Sequence, residues 1–266
     1  MTNAPIKSLQ IAVDGHVATI ALNRPDVRNA FNDDVIAELT AAFRVLGARA
    51  DVRCIVLAAI GKAFCAGADL NWMRRMADYS REENLADAAK LADMLKTIHE
   101  CPKPTVARVQ GDVYAGGLGL ITACDIAIAA DVANFCVSEV KIGLIPATIS
   151  PYLIRAIGAR AAHRYFLTAE RFGAAEAARI GLVHEVVTAD ALDPKVAQIV
   201  QALIAASPNA VRVCKQLIHD VAGRDIDKDL VNETVFGIAD IRATDEGREG
   251  VQAFLQKRQP GWLGGQ

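Results

Sequence analysis

Two short loops of small residues and one carboxylate are the parts of this sequence best suited to chemistry. The first loop is Phe64-Cys65-Ala66-Gly67-Ala68-Asp69-Leu70, and the second is Ala115-Gly116-Gly117, inside Gln110 to Leu120. Each follows an apolar, strand-like run and leads towards helix-like sequence. Two such loops can aim backbone N–H groups at one point. That is the requirement for an oxyanion hole, in which fixed donors stabilise negative charge on a carbonyl oxygen. Glu139 follows Phe135-Cys136-Val137 and sits among apolar neighbours. Desolvation there raises a carboxyl pKa towards neutrality, which suits general acid/base work. Position alone favours the plainer reading, a surface Glu139 paired with Lys141. Gly67 alone equally fits a simple tight turn.

Other chemistries find less support. Gly116-Gly117-Leu118-Gly119 has no Lys-Ser/Thr after it, so it is not a P-loop, and GxGxxG is absent. The five histidines show no HxH or HExxH spacing, so no metal site is expected. GxSxG is absent, which leaves a serine triad without its nucleophile elbow.

The elements that must position these residues alternate. Leu9 to Ala12 and Val17 to Leu22 flank Asp14-Gly15, a hairpin signal. A helix follows from Asn32, capped by Asn32 or Asp33, with Val35, Ile36, Leu39, Phe43 and Leu46 at helical spacing. Cys54 to Ala59 reads as a strand ahead of the first loop. Leu85 to Ile98 reads as a helix that Pro102 and Pro104 stop. Thr105 to Val109 is the strand ahead of the second loop, Gly116 to Ala123 a helix, and Asp125 to Ala129 and Phe135 to Val137 further strands. From Ser150 onward the pattern is helical, with one last strand at Val183 to Val187. The expected class is α/β, with a core over residues 1–205 and a C-terminal helical region over 206–266.

The bulk composition agrees. The 266 residues are 52% hydrophobic and 23% charged, as in a globular chain. The net charge of −2, with no basic stripe, argues against nucleic-acid binding. Six cysteines without CxxC pairs read as reduced, buried thiols of a cytoplasmic protein. Met1 to Gln10 lacks a signal-peptide pattern, and no run of about 18 apolar residues predicts a membrane span.

Taken together, the chain resembles the enoyl-CoA hydratase/isomerase (crotonase) family. The resemblance rests on Leu22-Asn23-Arg24-Pro25 with Asn29-Ala30, the run Ala63 to Leu70, Lys103 to Ala107, and Ala115-Gly116-Gly117. It continues through Cys124 to Ala127, Glu139 with Gly143-Leu144-Ile145-Pro146, Ala177 to Val183, and Glu249 to Phe254. It implies a crotonase-like fold of repeated ββα units with a C-terminal helical trimerisation region, forming trimers or hexamers. It also implies an acyl-CoA thioester substrate, no cofactor beyond the CoA of that substrate, and no metal. The Ala68 and Gly116 N–H groups would hold the thioester oxygen, each donor being worth about 3–4 kcal/mol at the transition state, with Glu139 as acid/base. The CoA-binding residues would be Arg28 (near the phosphates), Ala30, Ala66 (its carbonyl towards the adenine), Ala68, Asp69 and Leu70. Phe254 and Lys257 would close the adenine pocket from this chain or a neighbouring one.

Asp69 to Met76 and Ile149 to Phe172 are similar to bacterial methylglutaconyl-CoA hydratases of leucine breakdown. Arg74, Arg75 and Lys141 are candidates for pairing with a second substrate carboxylate, and each is more often a solvated charge. One departure limits the hydratase reading: the family's first catalytic glutamate should stand at 119, where this chain has Gly119. Asp112 and Tyr114 are candidate substitutes, with loop packing the favoured role for both. The leading expectation is hydration of a 2-enoyl-CoA. Double-bond isomerisation, which needs one base, and decarboxylation are alternatives. A non-catalytic acyl-CoA- or RNA-binding protein is a third class.

Overall fold

A computed structural model describes residues 8–264. Residues 1–7 of the Met1–Gln10 stretch and residues 265–266 of the tail lie outside the described residues. The hairpin strands β1 (Leu9–Asp14) and β2 (Val17–Leu22) pair antiparallel around Gly15-His16, one residue on from the expected Asp14-Gly15, because Asp14 still pairs with Val17; Gly15 takes φ 52°. The strands β3 (Cys54–Ala59), β4 (Thr105–Val109), β6 (Ile126–Ala130) and β9 (Glu185–Val187) then add in parallel, giving a six-stranded sheet ordered β1-β2-β3-β4-β6-β9. A second, three-stranded sheet is ordered β5-β7-β8, from β5 (Val113–Tyr114), β7 (Asn134–Cys136) and β8 (Phe172–Gly173).

The centre of the large sheet, β3, β4 and β6, is apolar on both faces because helices cover both, as parallel strands require, whereas the edge strand β1 is exposed beyond Leu9. Alternate residues of β3 and β4 make the division. Ile55, Leu57, Ala107 and Val109 face the main core. That core is built with α1 (Asp33–Ala48), α3 (Arg81–His99) and α4 (Gly116–Ala123). Cys54, Val56 and Val106 face Leu192, Val196, Val200 and Ile204 of α7 (Leu192–Ala205). Both helices behind the first loop start on side-chain caps. Asn32 Oδ1 accepts from the Val35 amide at 3.1 Å, and Ser80 and Glu83 form a reciprocal capping box on α3.

The helix α5 (Ser150–Thr168) breaks at Gly158, whose φ of 72° divides it in two. After α6 (Ala174–Arg179) and α7 comes the tail: α8 (Pro208–Val221), α9 (Lys228–Ala243) and α10 (Asp245–Leu255). The tail docks through the Lys215 ammonium, which lies 2.8 Å from Asp125 in a largely buried ion pair. It also docks through Trp262, whose indole donates to the Ala205 carbonyl and whose own carbonyl accepts from Arg53. The outer surface of α9 and α10 leaves Val231, Val235, Phe236, Phe254 and Leu255 exposed. Among the described residues no helix is long and apolar enough to cross a membrane.

Five of the six cysteines are buried, as expected; Cys214 is exposed on α8, correcting the expectation that all six would be buried. The amphipathic face of α8 turns Lys215 inward for its ion pair and leaves Cys214 outside.

Candidate active site

The two loops leave their strands side by side and in the same register. Cys65 forms a parallel bridge with Val113, and Val113 pairs with Phe135 in the small sheet. Cys65, Val113 and Phe135 thus stand in one row, and Ala68, Gly116 and Ser138 each follow three residues later, with Glu139 next. A second bridge, Phe31 to Ala68, adds the segment after Arg28 to the same row. The Tyr114 amide donates to the Cys65 carbonyl and the Ala115 amide to the Cys136 carbonyl, both at 2.9 Å.

Small residues are required where these segments meet. A Cβ on Gly67 (φ 89°) would stand 3.1 Å from the Ala115 Cβ, and one on Gly117 would stand 3.0 Å from the Cys65 Cβ. Ala115 itself holds φ 48° and ψ −126°, a conformation that favours glycine. It aims the first amides of α4 out of the loop. Among the described residues, neither the Ala68 amide nor the Gly116 amide donates to a protein acceptor. Gly116 opens α4, so its orphan N–H also carries the positive end of the helix dipole.

Glu139 begins a short 3-10 turn, Glu139–Ile142. Its side chain is half-buried, and Oε2 is buried without a hydrogen-bond partner. Burial pushes its pKa above the ordinary carboxylate value, against weaker opposing hydrogen bonds from the Glu139 and Ser138 amides. No ion pair joins it to Lys141 among the described residues, so the surface pairing that position alone favoured is not formed. A partly desolvated carboxylate with one unpartnered oxygen is equipped to take and return protons.

The candidate CoA residues divide into two groups. Arg28, Ala30, Ala66 and Ala68 lie together along the adjacent segments, with the Ala66 amide donating to the Arg28 carbonyl at 3.0 Å. Leu70 is 69% exposed at the start of α2 (Leu70–Met76). Asp69 turns its side chain inward: Oδ1 caps α2 through the Asn71 and Trp72 amides, and Oδ2 pairs with Arg24 at 2.7 Å. Burial works to raise the Asp69 pKa, but the Arg24 hydrogen bond and the two amides outweigh it and hold it low. Phe254 and Lys257 lie on the exposed tail, and no hydrogen bond or ion pair joins them to the loops among the described residues.

Asp112 and Tyr114 are committed to each other. The phenol donates to Asp112 Oδ2 at 2.9 Å, while Asp112 Oδ1 accepts from the Asn134 amide and side chain. Burial and that hydrogen bond push the Tyr114 pKa up to about 12. Arg75 pairs with Asp33, whereas Arg74 bonds only Asn71, at 2.6 Å.

Sequence reasoning quoted Arg24 and Asn29 only as parts of a motif. The structure makes them the clamp of the first loop. Asn29 is 2% exposed, donates to the Ile60 and Ala63 carbonyls at 2.8 and 2.9 Å, and accepts from the Arg24 amide. The Arg24 guanidinium then bridges the Ala30 carbonyl and Asp69. A charged residue next to Asn-Pro-type turn chemistry, with an acid after the glycine loop, is the signal that could have found this pair.

The profile described as enoyl-CoA hydratase/isomerase matches residues 13–265. The chain belongs to the enoyl-CoA hydratase/isomerase family. A crystal structure of an enoyl-CoA hydratase from Shewanella pealeana is 44% identical, covers 96% of each chain and superposes with a TM-score of 0.93. One from Mycobacterium smegmatis is 37% identical over 96% of this chain and 99% of its own, with a TM-score of 0.91. The enoyl-CoA hydratase ACTT6 of Alternaria alternata is 34% identical over 88% of this chain and 77% of its own length. The two sheets and helical tail are therefore the α/β crotonase fold, and family membership implies an acyl-CoA substrate.

Proposed function

We propose that the protein adds water across the double bond of a 2-enoyl-CoA, with methylglutaconyl-CoA as the favoured substrate. The observation that carries this reading is the pair of unpartnered amides at Ala68 and Gly116, on segments that leave the same row of paired residues as the one bearing a carboxylate whose buried oxygen also lacks a partner. The thioester oxygen accepts from both amides. Glu139 takes a proton from water as the water oxygen attacks the β-carbon, and the displaced electron pair moves onto the thioester oxygen. Glu139 then returns the proton to the α-carbon, so one water is added and the carboxylate is regenerated. The hydratases named among the relatives support this reading.

In the same reading, Arg28, Ala30, Ala66, Asp69 and Leu70 receive the CoA, and Phe254 and Lys257 close its adenine end in a trimer or hexamer. The exposed apolar residues of α9 and α10 support that assembly. Arg74 and Lys141, neither paired with an acid among the described residues, are the candidates left to meet a second carboxylate. Isomerisation of a 3-enoyl-CoA is a second reading, favoured by Gly119, because one base suffices to move a proton from the α- to the γ-carbon.

Incubation with a panel of 2-enoyl-CoA and 3-enoyl-CoA thioesters, including methylglutaconyl-CoA, tests both readings by product mass after chromatographic separation of the 2- and 3-enoyl isomers. Gain of one water on the 2-enoyl substrates supports the proposal. A mass-neutral product alone replaces it with isomerisation, and no turnover of any thioester sinks both.

A further inference from the structure

Gly119 stands about one turn beyond Gly116 on α4, with its Cα on the same face of the helix. The space beside it is filled. A Cβ at 119 would stand 2.5 Å from Ile149 Cγ2, 3.1 Å from Ile149 Cβ and 3.2 Å from Leu95 Cδ2. Ile149 is 1% exposed and Leu95 fully buried, so neither has solvent to move into. The loop that carries Glu139 also delivers Ile149. The Leu144 amide donates to the Glu139 carbonyl, the Ser150 amide to the Pro146 carbonyl, and the Leu153 amide to the Ile149 carbonyl. Ile149 is thereby fixed at the start of α5, against α4.

We propose that Ile149 is a specificity-determining residue of this site. By filling the volume beside Gly119, it closes α4 to a second acid and to water, so that Glu139 alone both removes and returns the proton. This rests on the enolate chemistry proposed above and deepens it. The absence of a side chain at 119 is one half of a matched pair whose other half is Ile149. The apolar wall also limits the protonation of the enolate to whatever Glu139 carries. A polar residue at 149 or 119 would add a route for water and shift the balance between hydration and isomerisation.

A thermal double-mutant cycle tests the contact. Gly119→Ala lowers the unfolding midpoint by roughly 2–12 °C, although alanine is the better helix former. Ile149→Ala lowers it through a cavity. The double variant loses clearly less than the sum. A wild-type midpoint in Gly119→Ala, or strict additivity, overturns the proposal.

Product analysis tests the chemistry. In Gly119→Glu/Ile149→Ala the ratio of hydrated to isomerised product rises by about tenfold or more, and the pH–rate profile gains a second ionisation. Ile149→Thr, which keeps the β-branch and Cγ2 but loses the end of the side chain, is the variant that keeps this arm decisive where the double variant does not fold; its ratio rises by about threefold or more as its hydroxyl admits water. An unchanged ratio in the folded variants overturns the proposal. Failure of the two readings is separable. An inactive wild type sinks the hydratase reading while the thermal cycle still decides the contact. An active wild type with an additive cycle sinks only the role of Ile149.

Discussion

Gly116→Ala should disable the candidate oxyanion hole, because the added methyl has nowhere to go. Its Cβ would stand 2.4 Å from Phe31 Cζ and 3.1 Å from Cε1. Ordinary carbon contacts are about 3.5–4.0 Å, so the two must separate by about 1 Å. Phe31 is held on three sides. It is 1% exposed, its ring lies 5.9 Å from that of Trp72, its amide donates to the Gly67 carbonyl, and its carbonyl accepts from the Asp69 amide. The displacement therefore reaches the Gly116 amide directly and the Ala68 amide through the Phe31 segment. A misplacement of about 1 Å costs about 10²-fold in rate, and loss of one donor costs about 10²–10³. The variant should lose about 10²–10³ in kcat with much less change in KM, since the donors act chiefly on the charge of the transition state. Steady-state kinetics on an enoyl-CoA thioester, alongside circular dichroism to confirm folding, give the measurement. Phe31→Leu removes Cζ, and in the double variant it should recover most of the lost kcat. A folded Gly116→Ala with wild-type kcat, or a loss that Phe31→Leu leaves untouched, refutes this account of the donors.

Glu139→Gln should fold normally and lose about 10²–10⁴ of activity. Because burial raises the Glu139 pKa, the acid limb of the wild-type kcat profile should lie above that of an ordinary carboxylate and vanish in the variant. His99 stacks on His219 at 4.4 Å, and burial, then His219 and Lys215, lower its pKa from 6.5 to about 4. The native state thus binds fewer protons there than the unfolded chain. The stability His99 sustains should be complete above pH 6.5 and fall as pH drops towards 4. Denaturant titrations should show a flatter pH dependence in His99→Gln. Lys215→Met should cost about 1–3 kcal/mol by leaving the partly buried Asp125 without its cation, on the Thr105 amide and hydroxyl alone, read as an earlier denaturant midpoint.

The parts legible in the sequence were those bounded by strong local signals. The strands β3 and β4 and the helix α4 run as expected, because mostly apolar runs are bounded there by glycine, proline or a charged residue: Gly61 after β3, Pro104 and Gly111 around β4, Asp125 after α4. The strands β5 and β8 were not foreseen: two residues cannot show a period, and they exist only because β7 lies between them. The helix α2 was also missed, although Asp69 caps it and Leu70, Trp72, Met73 and Met76 offered a short apolar pattern. At the site, Glu139 and the two loops were readable from residue type and resemblance. The burial of Glu139 Oε2, the turning of Asp69 towards Arg24, and Ile149 above Gly119 were not. Each depends on segments far apart in sequence, and no local pattern encodes such a contact.

The single-residue bridges Phe31–Ala68 and Cys65–Val113 have a kinetic meaning. Neither loop can present its amide until segments from different strand–helix units have met, and such long-range closure comes late on entropic grounds. Helices such as α1 and α3 carry their own caps and can form before that closure. In refolding from denaturant, far-ultraviolet ellipticity should therefore return ahead of enzymatic activity. The delay between the two would time the closing of these two bridges.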